Sequence, residues 1–124
     1  MLFPLIGIRL HGWLDDLVVL TYLIGAFGLH LRGGALAVAL TGATTHFLLT
    51  RLTNYPQGTL KLIPFRLHAF IELGEGAAVV ATTVGLLPGM PLRARIFLLL
   101  LGLSQFAAFS FSDYRTSPRT RATT

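Results

Sequence analysis

The stretch Arg9-Leu10-His11-Gly12-Trp13-Leu14-Asp15 occurs a second time in this chain, as Arg66-Leu67-His68-Ala69-Phe70-Ile71-Glu72. Arginine, leucine, histidine, an aromatic residue, an aliphatic residue and a carboxylate recur in the same order, 57 positions apart. A weaker match follows each copy, Asn54-Tyr55 against Asp113-Tyr114, once a two-residue gap is allowed. Self-similarity of this kind predicts two copies of one structural unit.

Each copy contains two long apolar stretches, so the chain has four of them. They cover residues 12–31, 34–52, 67–87 and 92–112. Each is close to the roughly 20 residues that a helix needs to cross a bilayer. Because backbone groups cannot be left unpaired in lipid, these stretches should be helices. Gly-rich and Pro-rich turns separate them, at 32–34, 54–58 and 88–91.

The predicted architecture is therefore an all-α integral membrane protein, a four-transmembrane-helix bundle made of two tandem helical hairpins. Hairpin repeat 1 covers residues 9–58 and hairpin repeat 2 covers residues 66–115, within a single membrane domain of residues 1–124. Residues 116–124 are predicted to be a mobile basic tail. Two hairpins of the same orientation are related by a pseudo-two-fold axis along the membrane normal, a parallel repeat.

Composition agrees with a lipid environment. Of the residues, 53% are hydrophobic and only 12% are charged, whereas a soluble domain carries about 25% charge. The mean hydropathy is +0.70. The absence of cysteine excludes disulfides, thiolate metal sites and cysteine catalysis. The net charge of +5 comes from single basic residues at the ends of apolar runs, so nucleic acid is not an expected partner.

The basic residues also predict orientation. One side of the predicted membrane has Arg9, Arg51, Lys61, Arg66, Arg115, Arg119 and Arg121. The other side has Arg32, Arg93 and Arg95. This imbalance favours both termini in the cytoplasm. The N-terminus lacks the basic start and the cleavage site of a secretory signal, so we expect it to be retained.

Several motifs resemble a known family. They are His11-Gly12-x-x-Asp15, the linker Leu52-Thr53-Asn54-Tyr55-Pro56-x-Gly58-x-x-Lys61-x-Ile63-Pro64, and the restart Arg66-x-His68. Together they are similar to the small bacterial membrane proteins of the Ser-Pro-Trp (SPW) repeat family. The resemblance implies four membrane helices in two hairpins, placed in the cytoplasmic (inner) membrane of a bacterium, and implies no particular activity. The Ser-Pro-Trp tripeptide itself is replaced here by Gly25-Ala26-Phe27 and Thr82-Thr83-Val84.

The ionisable residues gather near one membrane face in this architecture. We predict a structural polar cluster of Arg9, His11, Asp15, Asp16, Arg51, Arg66, His68, Glu72, Glu75 and Asp113. Charges inside a membrane are costly and normally pair in the bundle interior. The favoured interpretation is therefore a network of ion pairs and hydrogen bonds that fixes the helix register.

A metal site is the alternative interpretation of the same residues. His11 and Asp15 are four apart, as are His68 and Glu72, so each pair shares a helix face. Imidazole and carboxylate ligands from two helices suit zinc, iron or manganese. Helix two offers only His46, and helix four only Gln105 and Asp113, at other depths. The sequence does not identify a particular cofactor, and it does not require one.

Two further hypotheses use single histidines or deeper carboxylates. His46, after two threonines near mid-membrane, could ligate a haem or a pigment, although bonding to a carbonyl or a threonine is the favoured role. A proton path could use Glu75, but His30 is the only ionisable candidate in the opposite half of the bundle apart from the flanking arginines.

These residues give no complete catalytic constellation, so the protein is predicted not to be an enzyme. The favoured function is a structural or accessory subunit that docks into a larger membrane complex or self-associates through small-residue faces. A metal- or cofactor-binding membrane protein and a small ion or proton transporter are the alternatives. The expected partners are the lipid bilayer and other membrane subunits.

Overall fold

Four helices make up the computed structural model, which describes residues 4–86 and 88–115. Helix α1 covers Ile8–Gly28, α2 covers Gly33–Leu52, α3 covers Phe65–Ala81 and α4 covers Leu92–Phe111. All four are long and apolar enough to cross a membrane, α3 together with the π-helical turn Thr82–Leu86 that continues it. The described residues form no strand. The predicted all-α, four-helix architecture is confirmed. The predicted basic tail, with Arg119 and Arg121, lies outside the described residues.

The helix boundaries differ slightly from those expected. Helix α1 begins at Ile8, four residues before the start predicted from hydropathy. Arg9 and His11 make its first turn polar, which hides that turn from a hydropathy average although the backbone is helical. The connection to α2 uses positive φ angles at His30 (52°) and Gly33 (56°), and the turn before α4 uses Gly89 (83°).

Small residues fill much of the bundle interior. Helix α1 packs along α2, and α3 packs along α4. Ala26, Ala35, Ala39 and Ala43 are buried around Tyr22 in the half of the bundle that contains the 29–32 turn. Many large side chains point outward instead, among them Leu20, Ile24, Phe27, Leu100 and Leu103. Small residues inside allow helices to approach closely, and the exposed apolar surface needs a partner other than water.

Two short backbone clamps close the opposite end of the bundle. Ile6, two residues before α1, forms a parallel bridge with Ser112, directly after α4. Thr53 forms a parallel bridge with Ile63, directly after α2 and just before α3. Each clamp ties the segment that leads into an odd helix to the residue that ends an even one. The hydroxyl side chains of Thr53 and Ser112 are thereby held against the polar interior, where both are fully buried.

Candidate metal centre

The two His/carboxylate pairs meet in the interior of the bundle. His11 and Asp15 lie on α1, and His68 and Glu72 lie on α3; all four are buried. One ligand atom from each of the four can be chosen so that all lie within 4.8 Å of one another. The two imidazoles face each other, with 3.2 Å between their Nε2 atoms. Helical spacing of four residues puts each carboxylate one turn beyond its histidine, on the same face.

The distances between these donor atoms are short and similar. Nε2 of His11 lies 3.4 Å from Asp15 Oδ1 and 3.2 Å from Glu72 Oε2. Nε2 of His68 lies 3.2 Å from Asp15 Oδ2 and 3.7 Å from Glu72 Oε2. Oε2 of Glu72 is buried and contacts both imidazole nitrogens, but it makes no hydrogen bond of standard geometry among the described residues. A buried carboxylate oxygen without a donor is costly unless a positive charge compensates it.

A hydroxyl group orients each imidazole from behind. Nδ1 of His68 lies 2.8 Å from Thr53 Oγ1, and Nδ1 of His11 lies 2.6 Å from Ser112 Oγ. The Thr53 hydroxyl donates to the Leu49 carbonyl at 2.6 Å, so its oxygen accepts from the His68 ring. The proton of a neutral His68 is thereby fixed on Nδ1, and the lone pair on Nε2 points into the cluster. Such partners of the second ring nitrogen are what orients metal-ligating histidines.

Tyr55, from the segment after α2, supports Asp15 at the bundle end. Its hydroxyl donates to Asp15 Oδ2 at 2.7 Å. Burial, followed by the charge of Asp15, raises the pKa of Tyr55 above its ordinary range, so the phenol stays protonated as a donor. Tyr114 takes the corresponding place after α4, and burial next to Glu72 likewise raises its pKa. The Tyr114 hydroxyl lies beside the Ser112 side chain but makes no hydrogen bond of standard geometry among the described residues.

His46 belongs to the cluster, contrary to the expectation that it lies apart at another depth. Its Nε2 lies 3.3 Å from Asp15 Oδ1, and its Nδ1 lies 2.8 Å from Glu75 Oε2. Asp15 and Glu75 lie about two and about three turns inside their helices, which brings them to the level of His46. The favoured role of His46, a bond to a carbonyl or a threonine, is therefore wrong: it joins two carboxylates.

The three arginines that were predicted to belong to the polar cluster lie outside it. Arg9 and Arg66 each lie two residues before a cluster histidine, about 200° around the helix, and both are exposed. Neither pairs with a carboxylate among the described residues. Arg51 pairs with Asp16 outside the cluster, at partial exposure.

Asp113 also lies outside the cluster, where Arg115 binds it through Nε at 2.9 Å and Nη2 at 3.2 Å. These hydrogen bonds lower the pKa of Asp113. His30, the other candidate of a proton path, is exposed at the opposite end of the bundle. Sequence reasoning missed the roles of Thr53, Tyr55 and Ser112.

Comparison with known proteins adds no relative: no protein-family model, no curated protein and no solved structure matches this chain.

Proposed function

We propose that this chain is a membrane-embedded metal-binding protein that holds one divalent transition-metal ion between His11, Asp15, His68 and Glu72. The observation that carries the proposal is the geometry of the donors. A tetrahedral site with metal–ligand bonds of about 2.0–2.1 Å has edges of roughly 3.3 Å between its ligand atoms. The two Nε2 atoms lie 3.2–3.7 Å from each other and from the nearest oxygens of Asp15 and Glu72, His11 facing Asp15 Oδ1 and His68 facing Asp15 Oδ2. With one ligand atom taken from each residue, all four atoms lie within 4.8 Å of one another.

Charge balance supports the same ion. Two carboxylates and two neutral imidazoles carry a net charge of −2, which a divalent cation neutralises. A protonated His46 with Glu75 forms a second neutral unit beside them. An uncompensated charge is costly in the bilayer interior, so the site needs a double positive charge. Oε2 of Glu72, which makes no hydrogen bond of standard geometry among the described residues, is one of the atoms to which the ion would bring that charge.

The ligand set suggests the metal and the role. Two nitrogen and two oxygen donors suit zinc, iron(II) or manganese(II), and the absence of thiolates disfavours copper(I). Four protein ligands leave no open position for a reacting water or substrate, which is typical of structural rather than catalytic sites. The proposed role is therefore non-catalytic metal binding. Asp15 and Glu72 also line a cavity of about 350 Å³ between α1 and α4, which leaves room for the ion to reach them.

The membrane setting and the repeat are part of the proposal. We place the four helices across a bacterial cytoplasmic membrane, with the metal site near the face that has both termini, and we propose kinship to the SPW-repeat proteins. Two observations support a tandem repeat. The clamp Ile6–Ser112 corresponds to Ile63–Thr53, and the bond from His11 to Ser112 corresponds to that from His68 to Thr53. The offsets are the same 57 and 59 positions as in the sequence.

Metal analysis of the full chain, purified in mild detergent from cells supplied with zinc, iron and manganese, tests the proposal. We expect about one metal ion per chain in the wild type. Glu72→Gln and His68→Gln should lose most of it, whereas the matched control Asp16→Asn, at the half-buried pair with Arg51, should keep it. Helix content measured by circular dichroism checks that each variant is folded. A folded wild type without stoichiometric metal, both as purified and after dialysis against each ion, would overturn the proposal.

A subunit role in a larger membrane assembly is the second candidate. It is favoured by a stripe of small residues that is exposed on α3: Gly74, Ala77 and Ala81. A Cβ added at Gly74 would meet nothing within 4 Å, so another membrane helix could approach closely there. Co-purification in mild detergent, comparing wild type with Gly74→Leu, tests this role. A chain that stays alone and monodisperse from native membranes would contradict it.

A further inference from the structure

A second cavity opens between α2 and α3, on the side of the bundle away from Thr53 and Ser112. Its volume is about 340 Å³, within the range of small-molecule sites. Ala37 and Ala78 flank the opening and are exposed, so the cavity faces the hydrocarbon when the helices span the membrane. Most of its lining is apolar, with a few polar groups at its base.

Two of these polar groups are buried with their hydrogen bonding incomplete. The Gln105 side chain lies beside the Tyr22 hydroxyl. Neither that hydroxyl nor the Gln105 Oε1 atom makes a hydrogen bond of standard geometry among the described residues, although the two side chains are 0% and 1% exposed. Glycines make room for both: a Cβ on Gly42 would lie 3.1 Å from the Tyr22 hydroxyl, and a Cβ on Gly76 would lie 3.1 Å from Gln105 Oε1. Buried polar groups are normally hydrogen-bonded. Two groups at one cavity that lack such bonds therefore indicate that a bound molecule completes them.

Glu75 also lines this cavity, and its pairing indicates the charge of the molecule that the cavity can bind. Its carboxylate is already paired with His46 at 2.8 Å, which removes the main attraction for a cation. Gln105 Oε1 needs a donor, and the Tyr22 hydroxyl needs an acceptor or a donor. A hydroxyl group satisfies both at once because it donates one hydrogen bond and accepts others. A neutral molecule with such a group and an apolar body matches the lining.

We infer that the α2–α3 cavity binds a small, neutral, lipid-soluble molecule with a hydroxyl group, held between Tyr22 and Gln105. This site lies beyond the proposed metal function and does not depend on it. Water in the cavity is the competing occupant, since it too can bridge buried polar groups. A water-filled cavity would show no saturable uptake of an apolar alcohol.

The test uses the full chain in nanodiscs with 2-naphthol as the probe and 2-methoxynaphthalene as a probe of similar shape without a donor. Equilibrium dialysis against empty nanodiscs subtracts uptake by the lipid. We expect one saturable 2-naphthol site per chain. The methoxy compound should bind about tenfold more weakly, because it leaves the buried acceptor without a donor.

Variants locate the site. Ala78→Trp should fill the cavity and abolish saturable binding, whereas Ala77→Trp, beside it but not lining the cavity, should not. Gln105→Leu should weaken 2-naphthol binding about tenfold, and Ser104→Ala, in the α1–α4 cavity, should leave it unchanged. Glu72→Gln should also bind 2-naphthol normally, which separates this inference from the metal proposal. Uptake equal to that of empty nanodiscs, equal binding of the two probes, or full binding by Ala78→Trp would each overturn it.

Discussion

Replacing Thr53 by valine tests whether the imidazoles are set up as metal ligands. The Thr53 oxygen accepts from His68 Nδ1 at 2.8 Å while its own proton is held by the Leu49 carbonyl at 2.6 Å. Valine keeps the shape of the side chain and removes the acceptor. The His68 ring can then carry its proton on Nε2, where it competes with the metal.

The size of the effect follows from the role of the bond. Removing a hydrogen-bond partner behind a ligating histidine typically costs 10- to 100-fold in metal affinity, or about 1.4–2.7 kcal/mol. We therefore expect Thr53→Val to raise the metal dissociation constant by that factor. Ser112→Ala, which removes the partner of His11 Nδ1 at 2.6 Å, should act in the same way.

Competition titration with a chromophoric chelator measures the dissociation constant. Thr83→Val is the matched control: Thr83 is also fully buried and bonds the carbonyl four residues earlier, at 2.7 Å, but it faces no imidazole. Its substitution should leave metal affinity within about twofold of wild type. If Thr53→Val binds metal as tightly as wild type, or if Thr83→Val is equally weakened, the hydroxyl does not prepare His68 as a ligand.

Three further predictions concern stability and pH. Tyr55→Phe should lower the free energy of unfolding by about 1–3 kcal/mol because it removes the donor to a buried carboxylate. Tyr114→Phe, whose hydroxyl makes no hydrogen bond of standard geometry among the described residues, should cost less than about 0.5 kcal/mol. Thermal unfolding in detergent compares the two variants, and equal losses would contradict the bond from Tyr55 to Asp15. Gly58→Ala should destabilise the fold by more than about 2 kcal/mol, because its Cβ would overlap the Thr53 carbonyl oxygen, while Gly74→Ala should be neutral or stabilising in the same assay. Metal affinity should fall as pH falls, because protons compete for the imidazoles and carboxylates; a dissociation constant that does not change between about pH 8 and pH 5.5 would argue against this ligand set.

The helices were predictable from the sequence because hydropathy and length determine them. The turns at Gly33 and Gly89 were predicted from composition, and both glycines have positive φ. The start of α1 was missed by four residues because Ile8 belongs to a polar first turn. The segment before that turn is held by the bridge from Ile6 to Ser112. Because these two residues are far apart in the sequence, their contact leaves no local sequence signal.

The site was predictable only where its residues share one helix. Spacing of four residues put His11 next to Asp15 and His68 next to Glu72, and both pairs lie in the cluster. His46 was misplaced because depth counted from the ends of helices says nothing about which turns of two helices meet. Hydroxyl residues are common in apolar helices, so the partners of the histidines did not stand out. A sequence signal was present nonetheless. Thr53 immediately precedes Asn54-Tyr55, and Ser112 immediately precedes the matching Asp113-Tyr114.

The buried cluster poses one electrostatic problem that has two solutions. Asp15 and Glu72 together need two positive charges in a region almost without water, and these can come from two protons on the imidazoles or from one divalent ion. Both solutions use the same atoms, so the geometry that makes a stable ion-pair network also makes a metal site. The Thr53 hydroxyl keeps a proton on His68 Nδ1 in both solutions, so at that ring only Nε2 can exchange its proton for a metal. Metal binding should therefore release close to two protons per ion, and a release near zero would mean that neither imidazole had carried the charge.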